Sequence, residues 1–285
     1  MPDTSLQFHP LRSLRRLVSV VLTGAALTAC AVPEPFLAPP AEVSRTARVM
    51  NVPLIRQADF YCGPASLAMV MQWSGHRVTQ AEIARQSFTP GARGTYLADM
   101  LGAARRHGQI AVTLDTFPAL LAEVEAGHPV IVFQNLGLPI APVWHYGVVV
   151  GYDLDRGIVA LNSGQRDVMQ MPLRAFLKSW DGGDRWAMVV LPPDQHPAQA
   201  NETKLLRAAA ALERVGQFPA AEIAYRRGAA RWPENWLWPF GLGNALYGQE
   251  DVAAARRAFL QALTLDPNAQ AARNNLAQIQ GDPDA

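Results

Sequence analysis

One cysteine, one histidine and two carboxamides in this sequence have the types and spacing of a nucleophilic site. Cys62 stands immediately before Gly63-Pro64 and the apolar run 65–73. Pro64 suits the first turn of a helix, where its missing N–H would lack a partner anyway. Cys62 is therefore expected at the positive end of a buried helix, which favours the reactive thiolate. Its own backbone N–H would face an oxyanion forming beside it. Gln57, one short loop upstream, could add a side-chain donor to the same hole. The plainer readings are an inert buried thiol and a solvated loop glutamine.

A thiol nucleophile needs a base, and the histidines are His9, His76, His107, His128, His145 and His196. His76 and His107 stand beside Gly75 and Gly108 and read as solvated helix ends. His128 precedes Pro129 with no polar companion. His9 lies in the N-terminal segment and His196 in a proline-rich linker. His145 differs, because it opens the run Tyr146-Gly147-Val148-Val149-Val150 at the end of an expected central strand. After a turn at 153–157 the chain returns through 158–161 and reaches Asn162, at the same end of the hairpin. A carboxamide there could accept from the imidazole N–H and fix its tautomer, as in Cys-His-Asn sites. Asp153 and Asp155 fall at the opposite, turn end. A satisfied core histidine and an ordinary Asn-Ser-Gly turn remain open beside this reading.

The elements that must hold these residues are legible from pattern. Thr79 and Glu82 make a capping box, with Val78 and Ile83 at staple positions. Further helices are expected from about 96 to 107, over 118–126 and over 173–180. Residues 49–55 read as a strand-like entry. Short Val/Ile-rich runs at 129–133, 146–152, 158–161, 168–171 and 186–191 read as strands. Helices first and strands second predict an α+β domain with a mainly antiparallel sheet.

Beyond the linker the chain repeats. Leu212, Ala221, Tyr225 and Pro233 recur 34 positions later as Leu246, Ala255, Phe259 and Pro267. That period, with small residues at the helix crossing and a closing proline, marks tetratricopeptide repeats. Two and a half repeats are few for such an array, so they are expected to pack on the first domain or on a partner.

The N-terminus has its own signature. Arg12, Arg15 and Arg16 precede an uncharged, mostly apolar stretch at 17–27, too short to span a bilayer as a stable helix. Leu27-Thr28-Ala29-Cys30 resembles the lipobox of bacterial lipoproteins. That resemblance implies lipidation of Cys30 and a membrane anchor at the periplasmic face of the cell envelope, and Ala31 is compatible with the outer membrane. With Cys30 acylated, Cys62 becomes the sole thiol of an exported protein, since the chain has 2 cysteines. The expected organisation is a signal peptide at 1–30, a proline-rich tether at 31–48, a catalytic domain at 49–192, a linker at 193–202 and repeats at 203–285.

Taken together, Gln57, Cys62-Gly63-Pro64-Ala65, Gly94-Thr95, Gly127-His128-Pro129-Val130-Ile131, the run from His145 to Tyr152 and Leu161-Asn162 resemble the C39-type and C39-like cysteine peptidases of the papain-like superfamily. The resemblance implies a papain-like domain. It also implies catalysis by Gln57, Cys62, His145 and Asn162, with Asn162 where the family usually has Asp. A peptide or protein substrate, no cofactor and no metal follow from it, with the repeats recruiting substrate or a protein partner. Two other readings stay open: a catalytically silent binding lipoprotein, and a thiol acyltransferase or amidase. The formal net charge of +1 gives no reason to expect nucleic acid.

Overall fold

The structure, a computed structural model, describes residues 43–164 and 168–281. The signal-like segment, Cys30 and most of the proline-rich tether lie outside the described residues.

The chain opens with β1 (Thr46–Arg48), α1 (Cys62–Trp73), α2 (Gln80–Ser87), β2 (Phe88–Thr89), β3 (Gly94–Thr95) and α3 (Leu97–Arg106). Then come β4 (Ile110–Leu114), α4 (Phe117–Glu125), β5 (Val130–Asn135), β6 (Trp144–Asp153), β7 (Ile158–Asn162), β8 (Met169–Pro172), α5 (Leu173–Asp181) and β9 (Ala187–Leu191). The chain closes with α6 (Glu202–Arg214), α7 (Phe218–Arg231), α8 (Leu237–Tyr247), α9 (Val252–Leu265) and α10 (Gln270–Gly281).

Local chemistry explains several of these boundaries. At the start of α2, Thr79 accepts from the Glu82 N–H while the Glu82 carboxylate accepts from the Thr79 N–H at 2.7 Å. Two otherwise unpaired donors are satisfied reciprocally. α1 carries Pro64 in its first turn and is buried from Gly63 to Met71, as an all-apolar helix must be. Residues 49–55 do not form the expected strand. Val49 donates to the Val150 carbonyl at 2.8 Å, but Asn51 then turns to φ 60° and Pro53 has no N–H to extend a ladder.

β1 and β4–β9 form a seven-stranded sheet in which every pairing is antiparallel. The order is β4-β9-β5-β6-β7-β8, with β1 beside the far end of β6. Alternation sends successive side chains to opposite faces. On one face Ile131, Val148, Met188 and Val190 pack with Leu67, Met71 and Met100 of α1 and α3. On the other, Val130, Val149 and Leu161 meet Leu120 and Leu121 of α4 and Phe176 and Trp180 of α5. The fold is α+β with an antiparallel sheet, followed by helical repeats.

The repeat helices stand on the second face as well. Ile110, Val112, Val189 and Leu191 share one core with Leu205, Ala208 and Leu212 of α6 and with residues of α7 to α9. The sheet thus covers one end of the short array. Glu123, fully buried in α4, reinforces the join by accepting from the Gln199 N–H at 2.9 Å. Inside the array, Gly228 faces the Trp238 ring so closely that a Cβ would come within 2.1 Å of it.

Candidate active site

Cys62 is the first residue of α1 and half-buried at the edge of the core beneath that helix. Two local features set its position. Phe60, just upstream, sits at φ 64°, an uncommon backbone state for a bulky residue. Gly63, just downstream, leaves room for Thr95 and Met100, each 3.1 Å from where a Cβ would be. Burial pushes the thiol pKa up. The backbone N–H groups of Tyr146, Gly63 and Cys62 itself oppose that shift by favouring the thiolate, but do not overcome it.

Tyr146 is the neighbour of His145 on β6, so the strand carrying His145 runs beside Cys62. His145 is half-buried, and burial holds its pKa down. Its Nε2 lies 2.7 Å from the Ser163 hydroxyl. Asn162 is elsewhere. It pairs with Val148 in the ladder, and His145 stands an odd number of residues away. Alternation therefore groups His145 with Ser163 and turns Asn162 the other way. The Asn162 side chain is buried, with Nδ2 donating to the Val52 carbonyl at 3.4 Å and Oδ1 without a partner. No hydrogen bond joins His145 to Asn162 or to Cys62 among the described residues.

Gln57 comes to the same neighbourhood from the loop before α1. Its carboxamide lies against Gly164, with Cδ and Nε2 3.6 Å from the position of an added Cβ. Gly164 has φ +73°, so the chain turns there in a conformation that suits glycine. The structure thus brings Gln57 to the segment Asn162-Ser163-Gly164 and His145 to Ser163. It sets Cys62 under the N–H of Tyr146.

A cleft of about 600 Å³ opens on Cys62. Phe60, Tyr96, Phe133, Val143, Trp144 and Tyr146 make most of its apolar wall. Phe133 stacks on Trp144 with ring centroids 5.2 Å apart, and the Tyr146 hydroxyl donates to the Thr95 carbonyl at 2.9 Å. Phe60, Tyr96 and Trp144 remain largely exposed at the rim. Sequence reasoning missed this aromatic wall, because its members come from four separate stretches. It also missed Ser163, which it read only as part of a turn.

The other histidines have partners the sequence did not suggest. His128 Nδ1 meets the Glu123 carboxylate at 2.8 Å. His76 Nε2 lies 3.4 Å from His107 Nδ1, and His196 packs edge-on to Trp232. Among the described residues no three or more His, Cys, Asp or Glu side chains converge in a way that could hold a metal ion.

Comparison with known proteins adds the following. Residues 49–185 match the family model described as Peptidase_C39 like family, and residues 206–270 and 240–280 match a tetratricopeptide repeat model. No curated protein matches the chain. Among solved structures, a C39-like peptidase from Bacillus anthracis is 20% identical, covering 51% of this chain and 97% of its own, with a TM-score of 0.42. The peptidase domain of Streptococcus ComA, a bi-functional ABC transporter involved in a quorum sensing pathway, is 25% identical, covering 50% of this chain and 99% of its own, with a TM-score of 0.42. A double glycine motif protease from an AMS/PCAT transporter, solved with its leader peptide, is 22% identical, covering 50% and 93%, with a TM-score of 0.38. The chain thus carries a segment of C39-like peptidase type at residues 49–185, followed by tetratricopeptide repeats at residues 206–280.

Proposed function

We propose that the protein is a thiol peptidase in which Cys62 attacks a peptide carbonyl. The observation that carries this reading is the setting of Cys62. It opens a buried helix, lies under the Tyr146 N–H beside His145, and faces a large apolar cleft. His145 takes the thiol proton as the Sγ–C bond forms. The oxyanion is stabilised by the Cys62 N–H and by Gln57, whose side chain makes no other hydrogen bond among the described residues. His145 then protonates the leaving amine. Water, deprotonated by His145, hydrolyses the acyl-thioester and restores the thiol. The segment Asn162-Ser163 orients the imidazole, with Ser163 as its partner in the resting site.

The same reading makes the enzyme exported and lipid-anchored through Cys30 at the periplasmic face, on the strength of Leu27-Thr28-Ala29-Cys30. The repeats hold a protein substrate or partner near the cleft. Protein spanning residues 31–285 should be labelled at Cys62 by an electrophilic peptide analogue, and Cys62→Ala and His145→Ala should each abolish or greatly slow labelling. An unlabelled protein with Cys62 folded and reduced would overturn the assignment. Incorporation of radiolabelled palmitate into the full chain, lost in Cys30→Ala, tests the anchor.

One observation favours a second reading, a silent binding protein: His145 is hydrogen-bonded to Ser163 and not to Cys62. Hydrogen bonds in an empty site often form only when substrate arrives, so the catalytic reading is preferred. Full cellular function in Cys62→Ala would reverse that preference.

A further inference from the structure

Four cations gather where the first domain meets the first repeat helix. Arg105 comes from α3, and Lys204, Arg207 and Arg214 come from α6. They line a cleft of about 350 Å³, toward the lower end of the range for small-molecule sites. The rest of its wall is apolar apart from Thr113, and no carboxylate lines it. The whole chain carries 25 Lys and Arg against 24 Asp and Glu, so the excess is local. None of the four has a side-chain hydrogen bond or ion pair among the described residues. Lys204, Arg207 and Arg214 are exposed, whereas Arg105 is half-buried and its Nε is buried without a partner. Burial first, and then the like charge of Arg214, holds the Arg105 pKa below the ordinary guanidinium value. The join itself is apolar here, with Val112 in one core with Leu205 and Ala208. Like charges held over an apolar join, one of them partly out of water, repel until an anion completes the set.

We propose that this cleft binds a small anion carrying more than one phosphoryl group, of the pyrophosphate class. Such a site needs nothing from the chemistry at Cys62. Arg207 and Arg214 are seven residues apart on α6, so they share a face two turns apart, about 10 Å along the axis. Arg105 approaches from α3, near enough to Arg214 for the two charges to interact. Guanidinium forks pair bidentately with phosphate oxygens. One phosphate or one carboxylate occupies one or two forks. Two or more linked phosphoryl groups can engage all three and offset most of the positive charge. Because the cations stand on both α3 and α6, the bound anion also ties the first domain to the repeats. Its binding therefore stabilises the whole chain by mass action.

The probe is sodium pyrophosphate, titrated calorimetrically into protein spanning residues 31–285 at low ionic strength without divalent cations. Saturable binding is expected, together with a melting temperature that rises with pyrophosphate concentration. The double variant Arg207→Gln with Arg214→Gln should bind roughly tenfold more weakly or worse. Both residues are exposed, and an unchanged melting temperature without the probe shows that the variant is folded. Arg105→Lys, which keeps the charge and loses the fork, should weaken binding as well. Phosphatidylcholine vesicles containing phosphatidylinositol bisphosphate, added in competition, tell a lipid headgroup from a soluble ligand. Displacement assigns the site to a headgroup and its absence to a free compound, and either result upholds a phosphate site. No saturable binding of pyrophosphate overturns the proposal. So does binding unchanged in the double variant, or equally tight binding of orthophosphate or citrate.

Discussion

The imidazole of His145 meets the hydroxyl of Ser163, with Nε2 and Oγ 2.7 Å apart, while the carboxamide oxygen of the neighbouring Asn162 is buried and unpartnered. The hydrogen-bond partner of His145 is thus one residue further along the chain than Asn162. Ser163→Ala should slow labelling of Cys62 by an electrophilic peptide on the order of 10²-fold, a share of what a positioned base contributes. Asn162→Ala should slow it less. The reverse ranking, measured as second-order labelling rates at one pH, would return the orienting role to Asn162.

Gln57 has the opposite profile from a structural residue. Its side chain is half-buried and makes no hydrogen bond among the described residues, yet it sits against Gly164 in the site. Gln57→Ala should therefore lower turnover or acylation by about 10²–10³-fold, as loss of an oxyanion donor does. Its stability should stay within about 0.5 kcal/mol of the parent. Gly164→Ala should do the opposite: a side chain at φ +73° costs roughly 1–2 kcal/mol of stability, while the new methyl meets the Gln57 carboxamide only in ordinary van der Waals contact. Paired thermal melts and labelling rates separate the two substitutions.

The electrostatics of the pair fix a pH profile. Burial raises the Cys62 pKa above its ordinary value of 9.0, so the folded site keeps the thiol protonated at neutral pH. Burial lowers the His145 pKa below 6.5, so the imidazole is neutral there and able to accept a proton. Both shifts favour thiol and neutral imidazole over thiolate and imidazolium. Alkylation of Cys62 by iodoacetamide should rise steadily from pH 6 through pH 9, without the early plateau of a preformed ion pair. The stability linkage of His145 has a defined sign too. Its preference for the neutral form stabilises the fold above pH 6.5 and is lost as pH falls through the depressed folded-state value. A labelling rate already level at pH 6 would contradict the neutral pair.

How far the sequence reveals this arrangement depends on what carries each piece of information. Capping at Thr79, the helix after Pro64 and the 34-residue recurrence are local or periodic, and each is written in a short window of residue types. The position of Gln57 against Gly164 is not local, and no short window of sequence announces it. The choice between Asn162 and Ser163 depends on strand register. A shift of one residue exchanges the faces, and no residue type in the hairpin announces that register. β4 escaped notice for another reason. Its residues Ile-Ala-Val-Thr-Leu are nearly all buried, so they lack the alternation that marks a half-exposed strand. The aromatic wall of the cleft is assembled from stretches far apart in sequence, and only the folded chain joins them.

The first domain depends on its repeats for part of its core. Ile110, Val112, Val189 and Leu191 lie on a sheet face that shares one core with α6 and the repeats, and each is at most 5% exposed. A chain ended at residue 192 would leave all four in water. At roughly 1.5–3 kcal/mol for each such side chain, the loss amounts to several kcal/mol, comparable with the whole stability of many domains. The truncated protein should therefore melt far lower than the parent or aggregate. Replacing the four together by Thr, Ser or Gln should recover solubility but not stability. Gly228→Ala in the full chain should act in the same direction through the Trp238 ring, which an added Cβ would meet at 2.1 Å. Because that ring belongs to the core that includes β4 and β9, the substitution should lower one shared unfolding transition instead of creating a second. Scanning calorimetry of the full chain decides the point. Two separate transitions, with only the repeat transition shifted by Gly228→Ala, would mean that the domains unfold independently.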